Sequence, residues 1–286
     1  MPADANPPPT RIVVCADDYA LTPGVSRGIR ELMARGRISA TSVMTVSAHW
    51  PREAGPLKAV AGTADIGLHV TLTDQRPLGA MPAFAPAGRL PPLGSVLASG
   101  LTRRLPLAEI EAEIRRQLAA FTEHYGAAPA HIDGHHHMHQ LPGVAEVIIR
   151  LAREAGGGRT WVRSCREPAR SILRRGVGAP KALLLSALGG GIARQASRAD
   201  VPVNQGFSGA YDFAVERRPL DELFARFLDG LGHNGVMMCH PGYADPELAG
   251  LDPMTTAREA ELAFLAGEAW PRLLAARGLQ VGPLAR

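Results

Sequence analysis

Histidine and aspartate residues form four separate groups along the chain, and each group is a candidate for metal binding or proton transfer. Asp17 and Asp18 are adjacent, His69 lies inside an apolar run, His240 follows another apolar run, and five of the ten histidines lie within residues 131–139. Imidazole and carboxylate groups are the ligands of zinc and similar divalent ions, and two histidines with one carboxylate leave positions open for water and substrate. The pattern predicts a catalytic metal site.

Most of these groups also have a structural interpretation when each is considered alone. One aspartate could cap a helix while the other is a solvated turn residue, and a single histidine in a strand or loop need not bind anything. The cluster is harder to explain, because burying five imidazoles is costly unless they have partners. In an extended segment alternate residues share a face, which places His136 opposite the others: His131, Asp133, His135, His137 and His139.

The candidate residues coincide with predicted strands. Asp17, Asp18, His135, Arg163 and His240 lie at or just past the carboxyl end of an apolar run, and His69 lies within one. The runs occupy residues 11–16, 66–73, 130–134, 160–163 and 236–239. Helical patterns alternate with these strands, which predicts an α/β fold with a mostly parallel sheet closed into a barrel. In such barrels the carboxyl edge of the sheet carries the catalytic residues.

Three other segments have a distinct character. Residues 1–10 are rich in proline and predict a flexible tail, so that residues 11–286 form a single domain. Residues 76–101 show little periodicity and predict a long loop, which in compact domains is usually functional or mobile. Residues 171–197 are rich in leucine and glycine, and we expect an inserted lid or an oligomer contact there.

Composition excludes several classes of protein. The net charge is only +4, the basic residues are scattered, and 5% of the residues are aromatic, which argues against nucleic-acid binding. No apolar run approaches the roughly 18 residues of a transmembrane helix. The three cysteines are widely spaced and do not form a disulfide framework, so we expect a reducing, cytoplasmic location.

Four segments resemble the signature segments of the YdjC-like carbohydrate deacetylases, which include chitooligosaccharide and hopanoid-biosynthesis deacetylases. They are residues 16–19 (ADDY), 67–73 (GLHVTLT), 131–139 (HIDGHHHMH) and 238–242 (MCHPG). The resemblance runs in order along most of the chain. It departs from the family pattern at Tyr19-Ala20, where Phe-Gly is usual, and at Gly134, where Ser is usual. These changes could alter loop shape and substrate choice, but they remove no metal or proton-transfer group.

The resemblance implies an irregular (β/α) barrel related to polysaccharide deacetylases. It also implies that one divalent metal ion, zinc or magnesium, is held by Asp18, His69 and His135. Asp17 is then the general base and His240 the general acid, and a homodimer is expected. We add Arg163 as a residue that could orient Asp17 or touch the substrate.

The predicted function is metal-dependent hydrolysis of N-acetyl groups from an acetylated amino sugar or glycoconjugate, with an N-acetylated sugar or a glycolipid as substrate. One alternative is another metal-dependent barrel hydrolase, an amidohydrolase or a phosphoesterase. Those enzymes commonly carry a His-x-His pair on the first strand, whereas here the first strand ends in Asp17-Asp18. A second alternative is a non-catalytic sugar-binding or metal-binding protein, which would need neither Asp17 nor His240.

Overall fold

The computed structural model describes residues 9–285, and within them eight parallel strands form one sheet. The strands are β1 (Thr10–Tyr19), β2 (Ala40–Val43), β3 (Asp65–Val70), β4 (His131–Gly134), β5 (Trp161–Val162), β6 (Gly206–Ser208), β7 (Gly235–Cys239) and β8 (Leu279–Val281). Their order is β5-β4-β3-β2-β1-β7-β6, and β8 pairs with β1.

The two ends of this sheet are joined by a short backbone contact. Val162 of β5 forms a parallel bridge with Val203, just before β6, and its N–H donates to the carbonyl of Pro202 at 2.9 Å. The sheet therefore closes into an irregular barrel, as the sequence predicts.

Helices connect most of the strands and cover the sheet. They are α1 (Pro23–Ala34), α2 (Trp50–Val60), α3 (Leu93–Leu101), α4 (Leu107–Tyr125), α5 (Val144–Gly156), α6 (Ala169–Arg175), α7 (Ala179–Arg198), α8 (Leu220–Leu228), α9 (Leu248–Leu251), α10 (Thr255–Ala266) and α11 (Ala269–Ala275). Among the described residues, none of them has the length and apolar character needed to cross a membrane.

The central position of β1 explains its apolar sequence. It pairs with β2, β7 and β8, and every residue from 12 to 19 is buried. A parallel strand covered on both faces needs a continuous apolar run and not an alternating one. Thr22-Pro23 is a typical sequence for a helix start, and α1 begins there: the Thr22 side chain accepts the Val25 N–H at 3.3 Å and Pro23 occupies the first turn.

Several boundaries differ from the prediction. The predicted loop at 76–101 contains α3. The sequence of residues 259–277 predicts a single helix, but this region is divided between α10 and α11, with Gly267 directly after α10. Residues 171–197 cover most of α6 and α7 and the turn at 176–178 between them, and these helices lie between β5 and β6 in the chain. Their role as a lid or an oligomer contact stays a prediction, and the predicted tail lies outside the described residues except for residues 9 and 10.

Candidate active site

The end of β1 brings two adjacent carboxylates to the same cavity. In a regular strand the side chains of Asp17 and Asp18 would point to opposite faces. However, the pairing of β1 with β2 shifts register between Ala16 and Tyr19, and Asp18 has a φ of 67°. Such a bulge re-aims side chains and is common beside active sites, and here both carboxylates line the cavity.

Asp18, His69 and His135 converge at this edge of the sheet. Asp18 Oδ1 lies 3.2 Å from His69 Nε2 and 3.1 Å from His135 Nδ1. The candidate ligand atoms of the three residues all lie within 4.8 Å of one another. These are the three residues that the family resemblance assigns to the metal.

The surroundings of His69 fit a metal ligand. Its Nδ1 lies 2.7 Å from Asp133 Oδ1, and a carboxylate in this position fixes the orientation and tautomer of a metal-binding imidazole. Burial alone would lower the pKa of His69, but the carboxylates of Asp133 and Asp17 raise it to about 10. A divalent ion would therefore compete with a proton for Nε2, which is usual where metal binding displaces protons.

Two other groups have ligand atoms equally close together, namely Asp17 with His69 and Asp133, and Cys15 with His131 and Asp133. In both groups the carboxylate oxygens are already used. Arg163 donates to both oxygens of Asp17, while the two oxygens of Asp133 accept from His69 and Ser42. Asp18 differs, because among the described residues its Oδ1 contacts only His69 and His135. The donor atoms therefore fit a divalent ion best at Asp18, His69 and His135.

The second oxygen of Asp18 is held by Arg258 from α10. Arg258 Nη2 lies 2.6 Å from Asp18 Oδ2 and also contacts Asp252 Oδ2. Burial favours the protonated form of Asp18, but Arg258 and His135 reverse this and hold the pKa of the carboxyl well below its usual range. Asp18 is therefore kept ionised, with Oδ1 left for a metal.

Arg163 connects the two neighbouring carboxylates. Its Nη1 and Nη2 donate to Asp17 Oδ2 and Oδ1 at 2.7 and 2.6 Å, and Nη2 also lies 2.6 Å from Asp133 Oδ2. A two-point contact of this kind fixes the plane of the carboxylate. Arg163 is fully buried and is not among the residues that line the cavity. It is placed to orient Asp17, and a contact with substrate would require it to move.

The predicted alternation of the histidine cluster is wrong after Gly134. Residues 135–140 form a 3₁₀ turn, in which His136 and His137 have positive φ values of 54° and 61°. The rings of His135 and His136 consequently lie only 3.9 Å apart, and both line the cavity. His139 points elsewhere, with Nε2 donating to the carbonyl of Arg163 at 2.9 Å.

His240 enters the cavity from the end of β7. Its ring packs edge-on against Phe213 at 5.1 Å, and its backbone N–H donates to Glu261 Oε2 at 2.6 Å. Among the described residues, Nδ1 of His240 is buried without a hydrogen-bond partner. Burial lowers the pKa of the ring to about 4, although Asp18 and Asp17 act in the opposite direction.

One cavity of about 480 Å³ is lined by Asp17, Asp18, His69, His135 and His240. Its volume lies within the range of small-molecule sites. The structure therefore brings together all five residues that the sequence assigns to the metal and to proton transfer.

The chain matches a known protein family over most of its length. Residues 11–276 match the YdjC-like protein family. The chain belongs to this family. The match confirms the resemblance inferred from the four sequence segments.

Comparison with solved structures gives matches of different quality. A candidate cellobiose-phosphate cleavage protein of Enterococcus faecalis is 22% identical, with a TM-score of 0.73 and coverage of 96% of this chain and 97% of that one. More distant are an uncharacterized protein of Agrobacterium tumefaciens (14% identity, TM-score 0.49, coverage 98% and 89%) and a polysaccharide deacetylase of Bacillus cereus (10%, 0.44, 97% and 93%). The Enterococcus faecalis protein shares the fold of this YdjC-like chain over almost the whole length of both chains.

Three residues of this YdjC-like site have roles that the sequence does not reveal. Asp133 could be grouped with the cluster, but its contacts with His69 and Arg163 could not be foreseen. Arg258 and Glu261 lie on a helix far along the chain, and no motif distinguishes them from surface residues. Their almost complete burial is the signal that separates them, and it depends on the fold.

Proposed function

We propose that this protein hydrolyses N-acetyl groups of an acetylated amino sugar or glycoconjugate with the help of one divalent metal ion, zinc or magnesium. One observation carries the proposal. The ligand atoms of Asp18, His69 and His135 converge within 4.8 Å, on the wall of a cavity that Asp17 and His240 also line. Three protein ligands leave coordination positions open, which is typical of a catalytic site.

Asp18, His69 and His135 would hold the ion. When bound, it supplies positive charge that polarises a carbonyl and makes water more acidic. Asp17 is the general base, and it takes the proton of the water that attacks the acetyl carbon. The two-point contact with Arg163 keeps this carboxylate in one orientation, so that it can accept a proton without moving.

His240 donates the proton that the leaving nitrogen needs. With a pKa of about 4 the ring is neutral in the substrate-free protein at neutral pH. It must therefore gain a proton after the substrate has entered, and the proton released by the attacking water is available in the same cavity. Acetate and a free amino sugar are the products.

The residues at the end of β1 argue against the alternative barrel hydrolases. Amidohydrolases and phosphoesterases commonly carry a His-x-His pair on the first strand, whereas β1 supplies only the carboxylates of Asp17 and Asp18. A non-catalytic metal-binding or sugar-binding protein would not need an oriented carboxylate beside the ligands. The substrate class (free sugar or glycolipid), the homodimer and the cytoplasmic location remain predictions.

Acetate release tests the proposal. The protein is stripped with a chelator, reloaded with zinc or magnesium, and incubated with N-acetylglucosamine, chitooligosaccharides and an N-acetylglucosamine glycolipid. We expect acetate from at least one substrate only in the reloaded protein, and release that is roughly 10²–10⁴-fold slower from Asp17→Asn prepared in parallel. Acetate release that survives complete metal removal, or no release from any substrate with either metal, would overturn the proposal.

A further inference from the structure

Glu261 is a buried carboxylate that does not line the cavity and, among the described residues, forms no ion pair. It lies on α10 and is 1% exposed. Its Oε2 accepts the backbone N–H of His240 and its Oε1 accepts the hydroxyl of Tyr211, each at 2.6 Å. Burial raises the pKa of Glu261 to about 7, although both hydrogen bonds favour its ionised form. Keeping such a group in the interior is costly, so its position calls for an explanation.

The two contacts of Glu261 fix the two segments that surround the ring of His240. One contact holds the His240 peptide itself, and Pro241 directly after it restricts the backbone further. The other contact holds Tyr211, whose ring lies 4.4 Å from that of Phe213. Phe213 in turn packs edge-on against His240 and has a strained positive φ of 58°. The orientation of the His240 ring is thus fixed by the hydrogen bond to its backbone and by its packing against Phe213.

The hydrogen bond between the His240 backbone and Glu261 matters because the imidazole Nδ1 of His240 has no hydrogen-bond partner among the described residues. Among the described residues no group bonds His240 Nδ1, so no hydrogen bond at that nitrogen fixes the direction of the ring. A carboxylate on Nδ1 would orient the ring but would also bias it toward the charged form. Holding the backbone instead leaves the ring free to gain and lose a proton.

We propose that Glu261 is a positioning residue that aims His240 at the leaving nitrogen of the substrate. The proposal rests on the proposed function, in which His240 is the proton donor. Arg258 lies one helical turn earlier and holds Asp18, so α10 supports both the metal side and the proton-donor side of the cavity.

The test compares two substrates that differ in their need for a proton. An amide loses an amine and requires protonation of the nitrogen, whereas 4-nitrophenyl acetate loses a phenolate that leaves without a proton. In Glu261→Ala we expect kcat on the N-acetylated sugar to fall roughly 10²-fold, the lower end of what general acid catalysis contributes. The KM and the bound metal should be unchanged, and ester hydrolysis should be nearly unaffected.

Two further variants supply the controls. Glu261→Gln keeps an oxygen for the His240 N–H and a polar group beside Tyr211, so amide hydrolysis should be largely restored. Glu259→Gln removes an exposed carboxylate from the same helix and should change neither reaction. If Glu261 acts through His240, then Glu261→Ala adds little further loss when it is combined with His240→Ala.

Each outcome has a defined meaning. Equal losses on amide and ester in Glu261→Ala, or additive losses in the double variant, would show a general structural role and overturn the proposal. If Glu261→Ala does not fold, the amide-to-ester ratio of Tyr211→Phe decides. Removing the Tyr211 hydroxyl breaks its hydrogen bond to Glu261 and loosens the packing of Phe213 against His240, so the amide-to-ester ratio should fall. An unchanged ratio would count against positioning of His240 through Glu261. If His240→Ala itself lowers both reactions equally, the acid role of His240 fails, which is a failure of the proposed function and not of the Glu261 contact.

Discussion

The cavity wall formed by β1, β3 and β4 is rich in ion pairs, whereas the wall formed by β7 and α10 holds His240 through backbone and aromatic contacts. On the first wall Arg163 joins Asp17 to Asp133, and Asp18 is held by Arg258, which reaches it from α10. On the second wall the ring of His240 meets Phe213, and its Nδ1 has no partner among the described residues.

The difference follows from what each wall must do. Metal ligands have to keep one orientation and one charge state, and buried hydrogen-bonded ion pairs provide both. A proton donor has to change its charge state during the reaction, so a fixed charge on its ring would be a disadvantage. The comparison separates residues that should affect metal binding from residues that should affect only the rate.

The largest expected effect is loss of the metal itself. His69→Ala, His135→Ala and Asp18→Asn should each lower metal affinity by more than about 100-fold, beyond the 10–100-fold typical of residues that only support a ligand. Activity should be lost in parallel. Metal content after gel filtration and competition with a chelating dye measure this. His136→Ala is the matched control, and an equal metal loss in that variant would contradict the assignment.

Asp17 should behave differently from its neighbour Asp18. Asp17→Asn keeps the shape of the side chain but removes the base, so we expect a full complement of metal with a roughly 10²–10⁴-fold lower kcat. Metal analysis and acetate release on the same preparation measure both quantities. If Asp17→Asn loses its metal while Asp18→Asn retains it, the two roles must be exchanged.

Asp133 should give a smaller effect on the metal side. It contacts His69 Nδ1 and does not line the cavity, so Asp133→Asn should weaken metal affinity about 10–100-fold without abolishing binding. Excess metal should then restore much of the activity. An Asp133→Asn variant that remains inactive at saturating metal would show that its contact with Arg163 matters more than its contact with His69.

The smallest effect concerns stability at acid pH. Burial lowers the pKa of His139 from 6.5 to about 4, so the neutral ring favours the folded state fully above pH 6.5. This contribution is lost as the pH falls from 6.5 towards 4. Between pH 7 and pH 5 His139 should account for about 2 kcal/mol of lost stability.

Urea unfolding at the two pH values measures this loss. His139→Gln should show a smaller decrease between pH 7 and pH 5 than the unsubstituted protein. The same replacement at the exposed His233 should leave the decrease unchanged. An identical pH dependence in all three proteins would mean that His139 is not buried as a neutral ring.

The sequence alone determines the class of fold and the location of the site. The buried run of β1, the alternation of strands with helices and the periodicity of α4 are local patterns. In α4 the apolar residues Ile110, Ile114, Leu118 and Phe121 share one helical face, which predicts a helix over 107–125, and α4 has these bounds. Because the carboxyl ends of parallel strands meet at one edge, the convergence of Asp18, His69, His135 and His240 follows from the strand pattern itself.

Other features of the site depend on the tertiary structure. The bulge at Asp18 and the 3₁₀ turn after Gly134 break the alternation that a strand pattern assumes, and they decide which side chains enter the cavity. Arg258 and Asp18 are 240 residues apart, and Glu261 reaches His240 only because α10 packs beside the end of β7. Local sequence reports periodicity and burial, but the pairing of buried charges is set by the packing of elements distant in the chain.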